Sequence, residues 1–340
     1  MSDVRIGTCS WADKTMVERW YPPEAAGSPE RRLRYYARRF DTVEADSPFY
    51  GLPKRAVAEN WAKRTPPDFV FHVKAYGMMT QHRVDERALH PELREYEYEV
   101  VGRGKVHRPS PQMVDRAFEI FRDDVVEPLR AAGKMGGVLM QFPAYFTAED
   151  AERRDANLGW IEHAAEMLPE VRLLVEFRHP SWVSERELPH TLRFLEDRGM
   201  SYVSVDAPQF PDQATMPPIA AATSPIGYVR LHGRNRDTYF QLTKSAADRF
   251  DYLYTPEELE EWREPVARLA EVTDETFVMF NNCKYDYAPR NAHEMAEILG
   301  DVVHRHGGAE PGDPSPESGS PEHRPPGDDS EHVEQLGFEL

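Results

Sequence analysis

The chain has 340 residues, which is long enough to bury a large core as one large α/β domain or two smaller ones. Its formal net charge of −18 argues against nonspecific binding to nucleic acid. No apolar run reaches the roughly 18 residues of a membrane-spanning helix, and the N-terminus lacks the pattern of a signal peptide. Two cysteines do not form a disulfide framework. Together these features predict a cytoplasmic protein.

The charge is unevenly distributed. Only 8 of the 41 basic residues are lysine, and a high acidic load with little lysine favours a halophilic origin over a merely acidic protein. Residues 306–340 contain nine acidic residues, one arginine and six prolines. This composition predicts a disordered acidic tail, whose apolar end, EQLGFEL, is a candidate contact for a protein partner.

Short β-rich segments alternate with helical patterns along the rest of the chain. Strands are predicted at 4–11, 42–49, 69–76, 136–143, 172–179, 201–208, 227–234 and 275–282. Helices are predicted at 31–39, 54–64, 111–131, 155–168, 186–198, 256–271 and 290–300. Eight strands alternating with helices predict an α/β fold, a (β/α)₈ TIM-barrel-like domain over residues 1–305. A doubly wound open sheet is the alternative, which is weakened because no glycine-rich phosphate fingerprint follows the first strand.

A long polar insertion, residues 77–110, follows the third predicted strand. In a barrel, the segments after the strands lie over the C-terminal face, where active sites are found. We therefore expect this insertion to act as a lid or as an extra wall for a substrate.

Polar residues alternate with apolar ones along five predicted strands. Residues two apart share a face of a strand, so Glu176 and Arg178 point the same way. The other groups are Thr42, Glu44 and Asp46; His72 and Lys74; Ser204 and Asp206; and Arg230, His232 and Arg234. If these faces line the barrel, their charges emerge at its C-terminal mouth. Because buried charge is costly unless it is paired or used, we predict a functional site there, with a structural salt-bridge network as the alternative.

Eight segments occur in a characteristic order: IGTCSW (6–11), TVEADSPFY (42–50), FVFHVKA (69–75), GGVLMQFP (136–143), VEFRHPSW (175–182), VSVDAP (203–208), YVRLHGR (228–234) and FNNCKYDYAPRNA (280–292). In this combination the chain resembles the YecE-like proteins, which contain domain of unknown function 72. The resemblance covers almost all of residues 4–299 and implies a TIM-barrel-like fold, with no assigned activity. The chain departs from the family pattern at Cys9, Asp46 and Cys283, where a small residue, Asn and His are usual.

Carboxylates and bases that converge in one pocket suit acid–base catalysis. The predicted catalytic residues are Glu44, Lys74, Glu176, Asp206 and His232. We expect Glu44 or Asp206 to act as acid or base. His232 would carry a proton, and Lys74 would stabilise an anion.

Arginine side chains at the predicted mouth indicate an anionic ligand, since a guanidinium matches the geometry of phosphate or carboxylate. Aromatic side chains at strand ends would stack on a sugar or a base, or would simply pack at the rim. The predicted substrate-binding residues are Trp11, Tyr50, Gln141, Arg178, Trp182, Arg230, Arg234, Asn281 and Asn282.

The sequence contains no recognisable motif for an organic cofactor. Four of these residues could hold a divalent cation: Glu44, Glu176, Asp206 and His232. No metal site is predicted, because histidine or cysteine spacing typical of metal sites is absent. Cys9 and Cys283 could lie near each other on neighbouring strands, and two unreactive buried thiols are the favoured interpretation over a disulfide.

These observations predict an enzyme, a hydrolase, lyase or isomerase, that acts on an anionic small molecule containing a phosphate or a sugar, or on a nucleotide-like ligand. The alternative is a non-catalytic ligand-binding or adaptor protein, linked to nucleic-acid metabolism through its C-terminal tail.

Overall fold

The strands of the structure, which is a computed structural model, agree with most of the strands predicted from the sequence. Residues 2–211, 215–241 and 246–303 are described, so the predicted tail at 306–340 lies outside the described residues. The strands are β1 Asp3–Thr8, β2 Thr42–Ala45, β3 Val70–Lys74, β4 Glu99–Val101, β5 Lys105–His107, β6 Met135–Gln141, β7 Leu173–Glu176, β8 Ser201–Asp206, β9 Ile226–Leu231 and β10 Glu275–Phe280. Apart from β4 and β5, these are the eight strands predicted from the sequence.

Helices separate most of these strands. They are α1 Lys14–Arg19, α2 Pro23–Ala26, α3 Pro29–Tyr36, α4 Arg55–Lys63, α5 Pro111–Phe121, α6 Glu127–Ala131, α7 Ala151–Met167, α8 Leu188–Glu196, α9 Ala246–Arg249, α10 Pro256–Glu260, α11 Arg263–Val272 and α12 Tyr287–Leu299. Local sequence fixes several helix starts, since the side chains of Ser28, Ser110 and Asp150 accept hydrogen bonds from backbone N–H groups of the first turn. Within the described ranges, no helix combines the length and the apolar character needed to cross a membrane.

The parallel strands form one sheet in the order β1-β10-β9-β8-β7-β6-β3-β2. Its two ends meet through Tyr36, because the backbone N–H of Thr8 donates to the tyrosine hydroxyl at 2.9 Å and this hydroxyl donates to the Thr42 carbonyl at 3.1 Å. A Cβ at Gly7 would lie 2.5 Å from the Thr42 carbonyl oxygen, so this close approach requires glycine. The sheet is therefore a nearly closed barrel, and the predicted TIM-barrel-like fold is confirmed.

Replacing Tyr36 with phenylalanine is expected to lower the free energy of unfolding by about 1–3 kcal/mol, because two buried backbone groups lose their partner. Urea denaturation followed by circular dichroism would measure the loss. Tyr202→Phe is the matched control, because the Tyr202 hydroxyl is buried and has no hydrogen-bond partner among the described residues. We expect the control to be neutral or slightly stabilising, and an equal loss in both variants would contradict the closing role of Tyr36.

The insertion 77–110 follows the C-terminal end of β3 and contains the antiparallel hairpin β4–β5. Its strands have three residues each, too few for the sequence alternation to reveal them. Hydrogen bonds fasten the insertion to the barrel: the Tyr145 hydroxyl donates to the Gln81 carbonyl at 2.6 Å, and Trp160 Nε1 donates to the Met79 carbonyl at 2.9 Å. Its role as a lid or a substrate wall stays a prediction.

Candidate active site

Arg230, on β9, lies inside the barrel between two carboxylates. Its Nη2 donates to Glu44 Oε1 at 2.7 Å, and its Nη1 donates to Glu176 Oε2 and, at 3.1 Å, to Gln141 Oε1. The Tyr228 hydroxyl donates to the other Glu44 oxygen at 3.1 Å. The two carboxylates and the guanidinium are essentially inaccessible to solvent. The polar faces expected for β2, β7 and β9 therefore meet inside the barrel.

A second group continues this network toward the mouth. Arg178 Nη1 donates to Glu176 Oε1 at 3.1 Å, and Arg178 Nη2 donates to the Tyr239 hydroxyl at 3.0 Å. His232 Nε2 lies 3.1 Å from the same Glu176 oxygen, and Asn281 Nδ2 lies 2.7 Å from His232 Nδ1. The donor at Nδ1 favours an imidazole proton on Nε2, which lies 3.1 Å both from the Glu176 oxygen that accepts it and from Arg178 Nη1.

These contacts fix the protonation states at neutral pH. Burial raises the pKa of Glu176, but the charge of Arg230 and the hydrogen bond with His232 oppose it, and the pKa lies well below the usual range. Burial lowers the pKa of His232 to about 3, so the imidazole is neutral. The predicted role of His232 as a proton carrier is disfavoured, since a group with this pKa rarely takes up a proton near pH 7.

Lys74 and Asp46 are the mouth residues that titrate near neutral pH. Burial, followed by the charge of Arg230, lowers the pKa of Lys74 to about 8. Its Nζ lies 4.1 Å from the centroid of the Phe49 ring and forms no ion pair with a described residue. Burial raises the pKa of the partly buried Asp46 to about 7, although the charge of Lys74 opposes the shift. Asp46 stands out on its strand face in the sequence but was not among the predicted catalytic residues.

Arg249, at the end of α9, adds a cation that the sequence did not reveal. Burial, followed by the charge of Arg178, lowers its pKa, and its buried Nε has no hydrogen-bond partner among the described residues. Tyr239 and Tyr50 lie close enough to oppose this shift by raising the pKa of Arg249. Its helix has only four residues, so neither periodicity nor a strand end pointed to it.

Asp206 and Arg234 do not join this cluster, contrary to the sequence prediction. The register pairs Val205 with Arg230, so Val205 points into the barrel. Asp206 pairs with Leu231 and therefore points the other way, to the helix layer. There it accepts hydrogen bonds from the Tyr254 hydroxyl at 2.7 Å and from Arg234 Nη2 at 2.7 Å. The Oδ2 atom that accepts from Arg234 also accepts from the indole N–H of Trp262 at 2.8 Å. The alternation on β8 was read correctly, but its apolar face, not its polar face, lines the barrel.

Two predicted stacking rings pack into the core. Trp11 contacts Trp61 of α4, with ring centroids 5.4 Å apart. Trp182 is fully buried, stacks on Phe177 with centroids 4.5 Å apart and donates from Nε1 to the Phe146 carbonyl at 2.7 Å. Both rings are held by such packing, which was the alternative to a ligand-stacking role.

Of the remaining predicted binding residues, Asn282 lies away from the mouth and Tyr50 lies at it. Asn282 is buried and donates to the Tyr252 carbonyl and to Asn291 Oδ1, each at 2.9 Å, so it joins loop to helix and does not face the mouth cluster. Tyr50 lies at the mouth, where burial and then the charge of Asp46 raise its pKa.

Cys9 and Cys283 are both free thiols, and burial raises the pKa of each well above the usual range. A high pKa leaves little thiolate, the reactive form, which supports the interpretation of unreactive thiols. Among residues 2–211, 215–241 and 246–303, no group of three or more His, Cys, Asp or Glu side chains is arranged to hold a metal ion.

Two curated proteins resemble this chain, one over most of its length and one over about half of it. The UPF0759 protein YunF of Bacillus subtilis (strain 168) is 29% identical over 299 residues, which cover 87% of this chain and 94% of YunF. The UPF0759 protein YecE of Escherichia coli (strain K12) is 27% identical over 193 residues, or 56% of this chain and 58% of YecE.

Solved structures agree with the barrel. A DUF72 family protein from Thermotoga maritima MSB8 superposes with a TM-score of 0.67 and 29% identity, covering 87% of this chain and 99% of that protein. A DUF72 family protein from Enterococcus faecalis V583 has a TM-score of 0.69 at 22% identity, with 87% and 95% covered, and supports the fold alone. The family model described as "Protein of unknown function DUF72" matches residues 5–316. With its barrel, its ordered motifs and this match, the chain belongs to the DUF72 family.

Proposed function

We propose that this protein is an enzyme that performs acid–base chemistry on an anionic small molecule at the mouth of its barrel. The substrate class is a phosphate- or sugar-containing compound, and the reaction is a hydrolysis, an elimination or an isomerisation. The observation that carries the proposal is the pair Asp46 and Lys74. Both face the same mouth, neither forms an ion pair with a described residue, and both titrate near neutral pH.

Positive charge at the mouth supports an anionic substrate. Lys74 and Arg249 have no carboxylate partner among the described residues. Arg178 pairs with Glu176, which also pairs with Arg230. Since buried donors are usually satisfied, the free N–H groups of Lys74 and Arg249 are suited to bind phosphate or carboxylate oxygens.

Each remaining residue has a role that follows from its contacts. Asp46, with a pKa of about 7, exchanges a proton with the substrate, because acid–base catalysis is most efficient when the pKa lies near the working pH. Glu176 stays ionised and holds Arg178 in place. His232 stays neutral and links Glu176 to Asn281, so this side of the mouth is rigid.

Lys74→Met is expected to weaken the binding of inorganic phosphate at least tenfold, because the variant removes a partly desolvated cation from the mouth. Isothermal titration calorimetry on the full chain would measure the affinity. Lys63→Met is the matched control, since Lys63 is exposed on α4 and forms only a surface ion pair with Glu59. Equal affinities for wild type and Lys74→Met would remove the anion site from the proposal.

Turnover distinguishes an enzyme from a binding protein. Wild type would be incubated with a defined pool of sugar phosphates and sugar acids, and each compound followed by mass spectrometry. We expect at least one compound to be converted by wild type and by Lys63→Met but not by Lys74→Met. Compounds that bind yet stay chemically unchanged would favour the non-catalytic ligand-binding alternative.

A further inference from the structure

A cavity of about 680 Å³ lies between the insertion 77–110 and the helices α5 and α7. None of Asp46, Lys74 or Arg178 lines it. The cavity adjoins the charged cluster at the barrel mouth without sharing these residues, because burial and then the charges of Lys74 and Arg178 lower the pKa of its lining residue His82. Its walls are mainly apolar and include Met78, Val84, Val106, Val114, Tyr145 and Trp160. Its volume falls within the range of about 300–1,000 Å³ that is typical of small-molecule sites.

Gly159 provides a second observation. It lies in the interior of α7, where glycine is less favourable than alanine because the unfolded chain has more conformational freedom to lose. Its backbone does not have a positive φ, and a Cβ built there meets no atom within 4 Å. Neither conformation nor close packing therefore requires glycine. Gly159 lines the cavity, however, and the absence of a side chain keeps this wall open.

The charge at the cavity indicates the sign of its ligand. Arg83 is exposed and forms no ion pair with a described residue, whereas Arg108 pairs with Glu99 at 3.6 Å. The acidic residue in the lining, Asp115, is hydrogen-bonded to His163 Nε2 at 2.8 Å. Arg83 is therefore the cation in the described lining that has no carboxylate partner, in a chain whose net charge is −18.

We propose that this cavity binds a small molecule with an aromatic or other apolar body and one negatively charged group. The body packs against Trp160 and Tyr145, and the charged group lies near Arg83. The proposal concerns a second site and does not depend on the proposed function of the barrel mouth.

The test uses two matched fluorescent probes on the full chain: 1-anilinonaphthalene-8-sulfonate, and N-phenyl-1-naphthylamine, which has the same rings without the sulfonate. We expect saturable binding of the sulfonate at one site per chain. Gly159→Phe should weaken it at least tenfold by filling the cavity. Gly159→Ala should retain most of it. Glu152→Phe, which adds an equal ring to an exposed position of α7, should leave it unchanged.

Arg83→Met tests the charge separately from the shape. It should weaken binding of the sulfonate several-fold and leave binding of the neutral probe unchanged. Because Arg83 is exposed, this variant is expected to fold even if Gly159→Phe does not. Absence of saturable binding to wild type, or unchanged binding to a folded Gly159→Phe protein, would show that the cavity is only a solvent-filled gap. An equal effect of Arg83→Met on both probes would overturn the assignment of an anionic ligand.

Discussion

Arg230→Met is expected to lower the free energy of unfolding by about 3–5 kcal/mol, which is the usual cost of removing one partner from a buried ion pair. The guanidinium bridges Glu44 and Glu176, and all three groups are buried. Methionine fills much of the space but leaves two carboxylates facing each other without a cation. Urea denaturation monitored by circular dichroism would measure the change at pH 7.

The pH dependence of this loss is part of the prediction. Arg230 helps to hold the pKa of Glu176 well below its usual range, so wild-type stability from this carboxylate is present at neutral pH and decreases as the pH falls through the folded-state pKa. Without Arg230 the carboxylates take up protons more readily. The difference between wild type and Arg230→Met should therefore shrink toward pH 4.

Arg172→Met is the control for this experiment. Arg172 pairs with Glu275 at 3.4 Å at the surface, where both side chains are about half exposed. A surface pair contributes about 0–1 kcal/mol, so a small and nearly pH-independent change is expected. A loss below about 1 kcal/mol in Arg230→Met would mean that the barrel interior is hydrated enough to solvate both carboxylates.

Alternation in the sequence was sufficient to find the barrel and the centre of its polar interior. Glu44, Glu176 and Arg230 each sit on a strand where polar and apolar residues alternate, and each side chain does enter the barrel. The same reasoning failed for Asp206, because alternation shows that two faces differ but not which face is inside. On β8 the interior face is apolar, since Val203 and Val205 pair in register with residues that line the barrel.

The mouth residues that the sequence analysis did not identify, Asp46 and Arg249, depend on contacts between elements that are distant in the chain. The pKa of Asp46 is set by burial and by Lys74, a residue from a different strand, and neither is visible in the segment TVEADSPFY. Arg249 reaches the mouth from a helix of only four residues. Local patterns assign residues to faces of elements, whereas these features depend on how distant elements pack.

Asp46→Asn is expected to lower turnover of the substrate by about 10²–10⁴-fold, which is the usual contribution of a positioned acid or base. The amide keeps the size of the carboxyl group but cannot exchange a proton. The wild-type pH–rate profile should show an inflection near pH 7, where Asp46 titrates, and the variant should lack it. An active Asp46→Asn protein that retains the inflection would contradict the role assigned to Asp46.

Asp46→Asn should raise the stability of the folded protein, although it lowers turnover. Burial raises the pKa of Asp46 to about 7, so ionised Asp46 disfavours the folded state. This cost is absent below about pH 4, where the carboxyl group is protonated in the folded and unfolded chains alike, and it is complete above pH 7. Each unit of pKa shift corresponds to about 1.4 kcal/mol, and the group is only partly buried, so we expect Asp46→Asn to be more stable than wild type by about 1–3 kcal/mol at pH 8.

Thermal and urea unfolding at pH 4 and pH 8 would measure this difference without any knowledge of the substrate. Asp123→Asn, at an exposed position, should show no comparable gain at pH 8. A group that costs stability when ionised and is required for turnover is typical of an active site, because the same burial that destabilises the charge also tunes its pKa. Loss of turnover together with gain of stability above pH 7 would assign Asp46 to catalysis. Equal stability of Asp46→Asn and wild type at pH 8 would show that the carboxylate is solvated and its pKa unshifted.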